Sequence, residues 1–178
     1  MPNLSPVILS AAGFRLTLVS CGDRLAHTVG LVLADRVVPL LASLEGASDE
    51  DWPPSPPLTT VETPAVSGDT HALLLGMAGR SHWSAAIKME EASRCIMFEV
   101  ACRIKEPASW LGSSYRTMIT AVAAGDHAEL MAGDRRVRIA AEGAHLHVTP
   151  EGLKIGVAPS GGPFPQTIRW SYSICRLP

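Results

Sequence analysis

The stretch Phe14-Arg15-Leu16-Thr17-Leu18-Val19-Ser20-Cys21-Gly22-Asp23-Arg24-Leu25-Ala26-His27-Thr28-Val29-Gly30-Leu31 decides the fold class. Phe14, Leu16 and Leu18 alternate with Arg15, Thr17 and Val19, the period of two that marks a strand with one face buried. Gly22-Asp23 supplies a tight turn. Folding the chain about it sets Leu18 opposite His27, Leu16 opposite Val29 and Phe14 opposite Leu31, so the apolar faces coincide and the register follows. His27 falls on that apolar face, the position of a hydrogen-bonded core histidine rather than a ligand.

Beyond this hairpin, Ala34-Asp35 offers a second turn into Val37 to Leu44 and predicts a three-stranded meander. Pro39, which has no N–H for a ladder, predicts that its third strand is an edge. From Glu45 to Thr70 the pattern stops. Acidic residues precede Trp52-Pro53-Pro54-Ser55-Pro56-Pro57, which predicts a long Pro-rich loop pinned to the domain by Trp52. His71 to Met77 is nearly continuously apolar and reads as a strand covered on both sides.

The segments around Glu90-Glu91-Ala92-Ser93 read as a hairpin with Met89 opposite Arg94, Ile87 opposite Ile96, Ala85 opposite Phe98, Trp83 opposite Val100 and Ser84 opposite Glu99. A helix over Ser84 to Arg94 is the competing reading, because Ala, Lys, Met and Glu favour helix. Tyr115 to Ala123 reads as one strand. Alternation up to and away from Glu142-Gly143 predicts a hairpin with Ile139 opposite Leu146 and Val137 opposite Val148. A strand at Leu153 to Val157 follows. The last strand, with Ile168, Trp170, Tyr172 and Ile174 on one face, is expected to close a sheet. Together these segments predict an all-β, single-domain antiparallel β-sandwich or flattened barrel of about nine or ten strands over residues 1–178, with little or no helix.

Composition agrees with a folded chain. Of 178 residues 47% are hydrophobic and 18% charged, too apolar for a disordered chain. The formal net charge of -2 supplies no basic field for phosphate backbones, so no nucleic-acid partner is expected. No stretch approaches the roughly 18 to 20 apolar residues that span a bilayer, and the N-terminal run lacks a basic leader and is broken by prolines. These features predict a cytoplasmic protein without a membrane partner. Cys21, Cys95, Cys102 and Cys175 include no C-x-x-C and are expected to be reduced thiols. Cys95 and Cys102, seven apart on one strand, point to opposite faces, so any disulfide would have to involve Cys21 or Cys175.

Two sets of residues carry candidate chemistry. In the hairpin register above, His82, Ser84 and Glu99 share one face, bringing together nucleophile, base and carboxylate types. A triad also needs the imidazole between the other two and donors for an oxyanion, which a flat sheet face does not readily give. The second set is Arg136, Arg138, His145 and His147. The Glu142-Gly143 hairpin would gather them into a cationic face suited to phosphate or carboxylate. Two guanidiniums repel a divalent cation and no third ligand has usable spacing, so no metal and no cofactor are implied.

Three function classes follow. The first is a non-enzymatic module that binds a protein or a small anionic ligand, the second a small hydrolase using His82, Ser84 and Glu99. The third is a homo-oligomer that assembles through its sheets.

Overall fold

The computed structural model describes residues 5–34, 36–64, 70–158 and 161–178, and these contain fifteen strands and no helix. They are β1 (Val7–Ala11), β2 (Phe14–Cys21), β3 (Arg24–Leu33), β4 (Arg36–Ser43), β5 (Leu58–Glu62), β6 (Thr70–Ala78), β7 (Ser81–Glu90) and β8 (Cys95–Ile104). The second half adds β9 (Gly112–Thr117), β10 (Ala121–Ala124), β11 (His127–Ala132), β12 (Arg135–Glu142), β13 (His145–Thr149), β14 (Gly152–Gly156) and β15 (Gln166–Arg176). Among the described residues no helix is long and apolar enough to cross a membrane.

Two antiparallel sheets pack face to face. One has seven strands in the order β1-β2-β3-β4-β9-β14-β13, the other eight in the order β10-β11-β12-β15-β8-β7-β6-β5, and neither is closed. Their inner faces share one hydrophobic cluster, with Phe14, Leu16, Leu18 and Tyr115 from the first sheet against Trp83, Met89, Phe98 and Tyr172 from the second. The expected sandwich class is therefore the observed one. The β2–β3 register is also the one read from the sequence: Phe14 pairs with Leu31, Leu16 with Val29 and Leu18 with His27.

Other local expectations need correction. β7 is a strand to Glu90, so the helical alternative is not formed, but its turn is Glu91–Arg94. Arg94 takes the left-handed conformation at φ 55°, which lets Glu90 pair with Cys95. Every expected partner moves by two residues: Met89 faces Ile96, Ile87 faces Phe98, and Ser84 faces Ala101 rather than Glu99. An even shift leaves every side chain on its predicted face, which is why the alternation could not detect it.

Glu142-Gly143 is not a hairpin turn. β12 belongs to the eight-stranded sheet and β13 to the seven-stranded one, so the chain crosses here from one layer to the other, with Gly143 at φ 69°. A corner and a hairpin impose the same alternation, because in both cases each strand turns its apolar residues toward one core.

Pro39 does not mark an edge, since β4 lies between β3 and β9. Pairing with β9 involves only Leu41 to Ser43, and the register with β3 shifts between Val29 and Gly30, so Pro39 sits at an irregularity beyond the end of the β9 ladder. Asp35 of the second turn lies outside the described residues. β15 does not close a sheet; it runs through the interior of its sheet between β12 and β8.

The sequence reading also missed β1, β5 and β11, and Tyr115 to Ala123 divides into β9 and β10. These are short pieces of four to six residues, too short for a period to stand out.

Cys95 and Cys175 are direct partners on β8 and β15 and form a disulfide, so the expectation of four reduced thiols fails. Cys102 is a buried free thiol and Cys21 an exposed one. The spacing argument that kept Cys95 from Cys102 and left Cys175 as a partner holds.

Candidate functional site: a groove on the outer face of the eight-stranded sheet

β6 places Ala72, Leu74 and Ala78 in the core and turns Leu73, Leu75 and Met77 the other way. Among the described residues no layer covers that outer side. Leu73 is 47% exposed, Leu75 60% and Met77 55%, so the apolar run expected to be covered on both sides is covered on one.

The register lays out what surrounds these leucines. One row crosses six strands as Glu62, Leu73, Ala86, Glu99, Ser171 and Glu142. The next row is Thr60, Leu75, Ser84, Ala101 and Arg169. Ala86 and Ser171 flank Glu99 in the first row, Ser84 and Ala101 occupy the middle of the second, and longer side chains stand at the ends of both, so the sheet carries a trough. Its volume is about 650 Å³, and residues of both rows line it. That is within the roughly 300 to 1,000 Å³ typical of small-molecule sites.

The floor is firmly backed. Trp83 and Trp170, on the core side of β7 and β15, pack edge to face with ring centroids 6.2 Å apart. The β5 wall is held close by Gly76, where a Cβ would lie 1.9 Å from the Pro57 carbonyl oxygen.

Ser84 and Glu99 both line the groove, on neighbouring rows and one strand apart. His82 is exposed one row further on, opposite Arg103 and Met77. Among the described residues no hydrogen bond joins the three.

The cationic set is distributed differently. Arg136 and Arg138 stand on β12, paired with Met131 and Glu129 of β11. His145 and His147 stand on β13 in the other sheet, paired with Gly156 and Lys154. Because β12 and β13 do not form a hairpin, the single face that would have gathered the four is not built. Arg138 instead has its Nη2 4.0 Å from Asp126 Oδ1. Among the described residues no group of His, Cys, Asp and Glu has the arrangement of a metal site.

A second polar feature lies between the sheets. His27 Nε2 is 2.9 Å from the Tyr115 hydroxyl, which is hydrogen-bonded to the Tyr172 hydroxyl across the core. The His27 N–H donates to Ser43 Oγ at 2.8 Å, and Ser43 Oγ is hydrogen-bonded to Glu45 Oε1. Arg24 donates to the Glu45 carbonyl at 2.9 Å. Burial pushes the Glu45 carboxyl up to about 7, against the Ser43 hydrogen bond and the Arg24 charge, and pushes His27 down to about 4. This chain runs from the buried tyrosines to the half-buried Ser43 and satisfies polar groups that would otherwise be costly to bury.

The sequence reading found Ser84 and Glu99 but missed Leu73, Leu75, Glu142 and Arg169 as parts of one surface. The signal was the apolar run through β6, whose exposed half only the layer order reveals. No protein-family model matches the chain and no curated protein matches it.

Proposed function

We propose that the chain is a binding module whose ligand lies in the outer groove of the eight-stranded sheet. The observation that supports this most directly is the pair Leu73 and Leu75, half in water beside a trough floored by Ala86 and Ala101. Exposed apolar side chains scattered singly need no explanation, but a leucine wall beside a concavity is the composition of a ligand site. Fully burying a leucine is worth about 1.5–3 kcal/mol, so covering the exposed half of two supplies roughly 2 kcal/mol toward affinity.

The test is a titration with uncharged octyl glucoside, followed by amide and methyl NMR shifts. Shifts confined to β6, β7, β8 and β15, and lost in Leu75→Asp with the fold intact by circular dichroism, are expected. No shifts, or shifts spread over the surface, would overturn the reading. Light scattering on the same samples separates the homo-oligomer alternative. A dimer that Leu75→Asp dissociates would mean that a second copy covers this face. β4, which carries Pro39, lies inside its sheet rather than at an edge.

The hydrolase reading keeps one supporting observation, that Ser84 and Glu99 share the groove. It requires ester or amide turnover that disappears in Ser84→Ala. As for compartment, the cytoplasmic expectation rested on the N-terminal run and the lack of a long apolar stretch, and the Cys95–Cys175 bond suits an oxidising space better.

A further inference from the structure

The groove is chemically lopsided. Leu73 and Leu75 form its wall on the β6 side, and Glu99 stands two strands away in the same row as Leu73, about 10 Å across the sheet at the usual interstrand spacing. Glu142 stands two strands beyond Glu99, with Ser171 between them. Glu62 lies on the far side of Leu73. Against these three carboxylates the groove holds one cationic side chain, Arg169, in the neighbouring row. Among the described residues Glu62, Glu99 and Glu142 have no ion-pair partner. No aromatic ring is presented from the outer face of either row, so the surface lacks the stacking platform a sugar or base would use.

Building on the groove reading above, we propose that the ligand is a small amphipathic amine, its aliphatic chain lying on Leu73 and Leu75 and its ammonium group held between Glu99 and Glu142. The apolar wall and the carboxylates are separated across the strands by a floor of small side chains, which leaves an extended alkyl chain room to lie flat. The ammonium replaces water at two carboxylates, and the net charge of the lining becomes less negative on binding. Arg169 works against this cation and sets how much of the groove's negative charge the ligand meets.

Octylamine, octanoate and octyl glucoside share one tail and differ in the head group. Isothermal titration of each, below micelle formation, in low and high salt, is the test. Octylamine is expected to bind about tenfold more tightly than octyl glucoside, the size of one charge-assisted contact, and octanoate more weakly than either. High salt should erase the amine's advantage. Glu99→Gln should bring the amine level with the glucoside, and Arg169→Gln should strengthen the amine. If octanoate or octyl glucoside binds as well as octylamine in the wild type, the cation assignment is wrong while the groove reading stands. If none of the three binds, the groove reading fails and takes this inference with it.

Discussion

Glu45 and His27 are residues whose protonation the fold shifts strongly at mildly acidic to neutral pH. Free in an unfolded chain, Glu45 titrates near 4.5 and His27 near 6.5; in the fold they stand at about 7 and about 4, both because burial disfavours the charged form. For Glu45 the folded value is raised, so its contribution to stability is complete below 4.5 and is lost as pH rises through about 7. For His27 the folded value is depressed, so its contribution is complete above 6.5 and is lost as pH falls through about 4. Between 4.5 and 6.5 folding takes up a proton at Glu45 and releases one at His27, and the two slopes cancel. Glu45→Gln removes one of them. Relative to wild type, the variant's unfolding free energy should rise by about 1.4 kcal/mol per pH unit from 4.5 toward 7. Urea denaturation at a series of pH values reads this directly. A difference that stays constant with pH would mean that Glu45 titrates as an ordinary exposed carboxylate.

At the scale of elements, the groove depends on β5 lying close against β6. Gly76 permits this approach, since a Cβ there would also lie 2.7 Å from the Leu58 Cα. Gly76→Val is expected to cost about 1–3 kcal/mol, the usual penalty for overpacking, and to push β5 away together with Thr60 and Glu62. Thermal melting gives the cost, and protease sensitivity between Pro57 and Leu58 shows whether β5 has moved. Unchanged melting would place the β5 wall elsewhere. The hairpin β7–β8 carries a lesson of its own: its existence and its faces were legible from Trp83, Ala85, Ile87 and Met89 alternating against Ile96, Phe98 and Val100. Its register was not, because Arg94 accepts a backbone conformation that nothing in its side chain announces.

At the scale of the molecule, Cys95–Cys175 joins chain positions 80 apart in the interior of the eight-stranded sheet. The strands are already paired over the whole of β8, so the bond constrains the unfolded chain more than it shapes the folded one. Replacing both cysteines with alanine should lower stability by about 2–4 kcal/mol while leaving the far-ultraviolet circular dichroism unchanged. A changed spectrum would show that the disulfide is needed to order the sheet. The strap from Leu44 to Pro57 ties the layers on another side. Ser55 Oγ donates to the Ser114 carbonyl at 2.9 Å and accepts from the Ser114 N–H at 3.0 Å, and Trp110 Nε1 donates to the Pro54 carbonyl at 3.0 Å. Trp52 also packs against the core, as its place in the sequence suggested, but Ser55 and Trp110 supply these hydrogen bonds.

The sequence by itself determined the fold class, the inward faces of β2, β3, β7, β8, β12 and β15 and the β2–β3 register. Side-chain alternation is local, and a tight turn such as Gly22-Asp23 carries its own pairing with it. Only the tertiary structure decided which layer each strand joins. Alternation reports that a strand has a core side but is silent on which sheet supplies the other half, so Glu142-Gly143 reads the same as hairpin or corner. The groove follows from that choice. Leu73 and Leu75 become a surface because, among the described residues, no third layer covers the eight-stranded sheet, and Glu99 and Glu142 come to stand either side of Ser171 because β15 runs between β8 and β12.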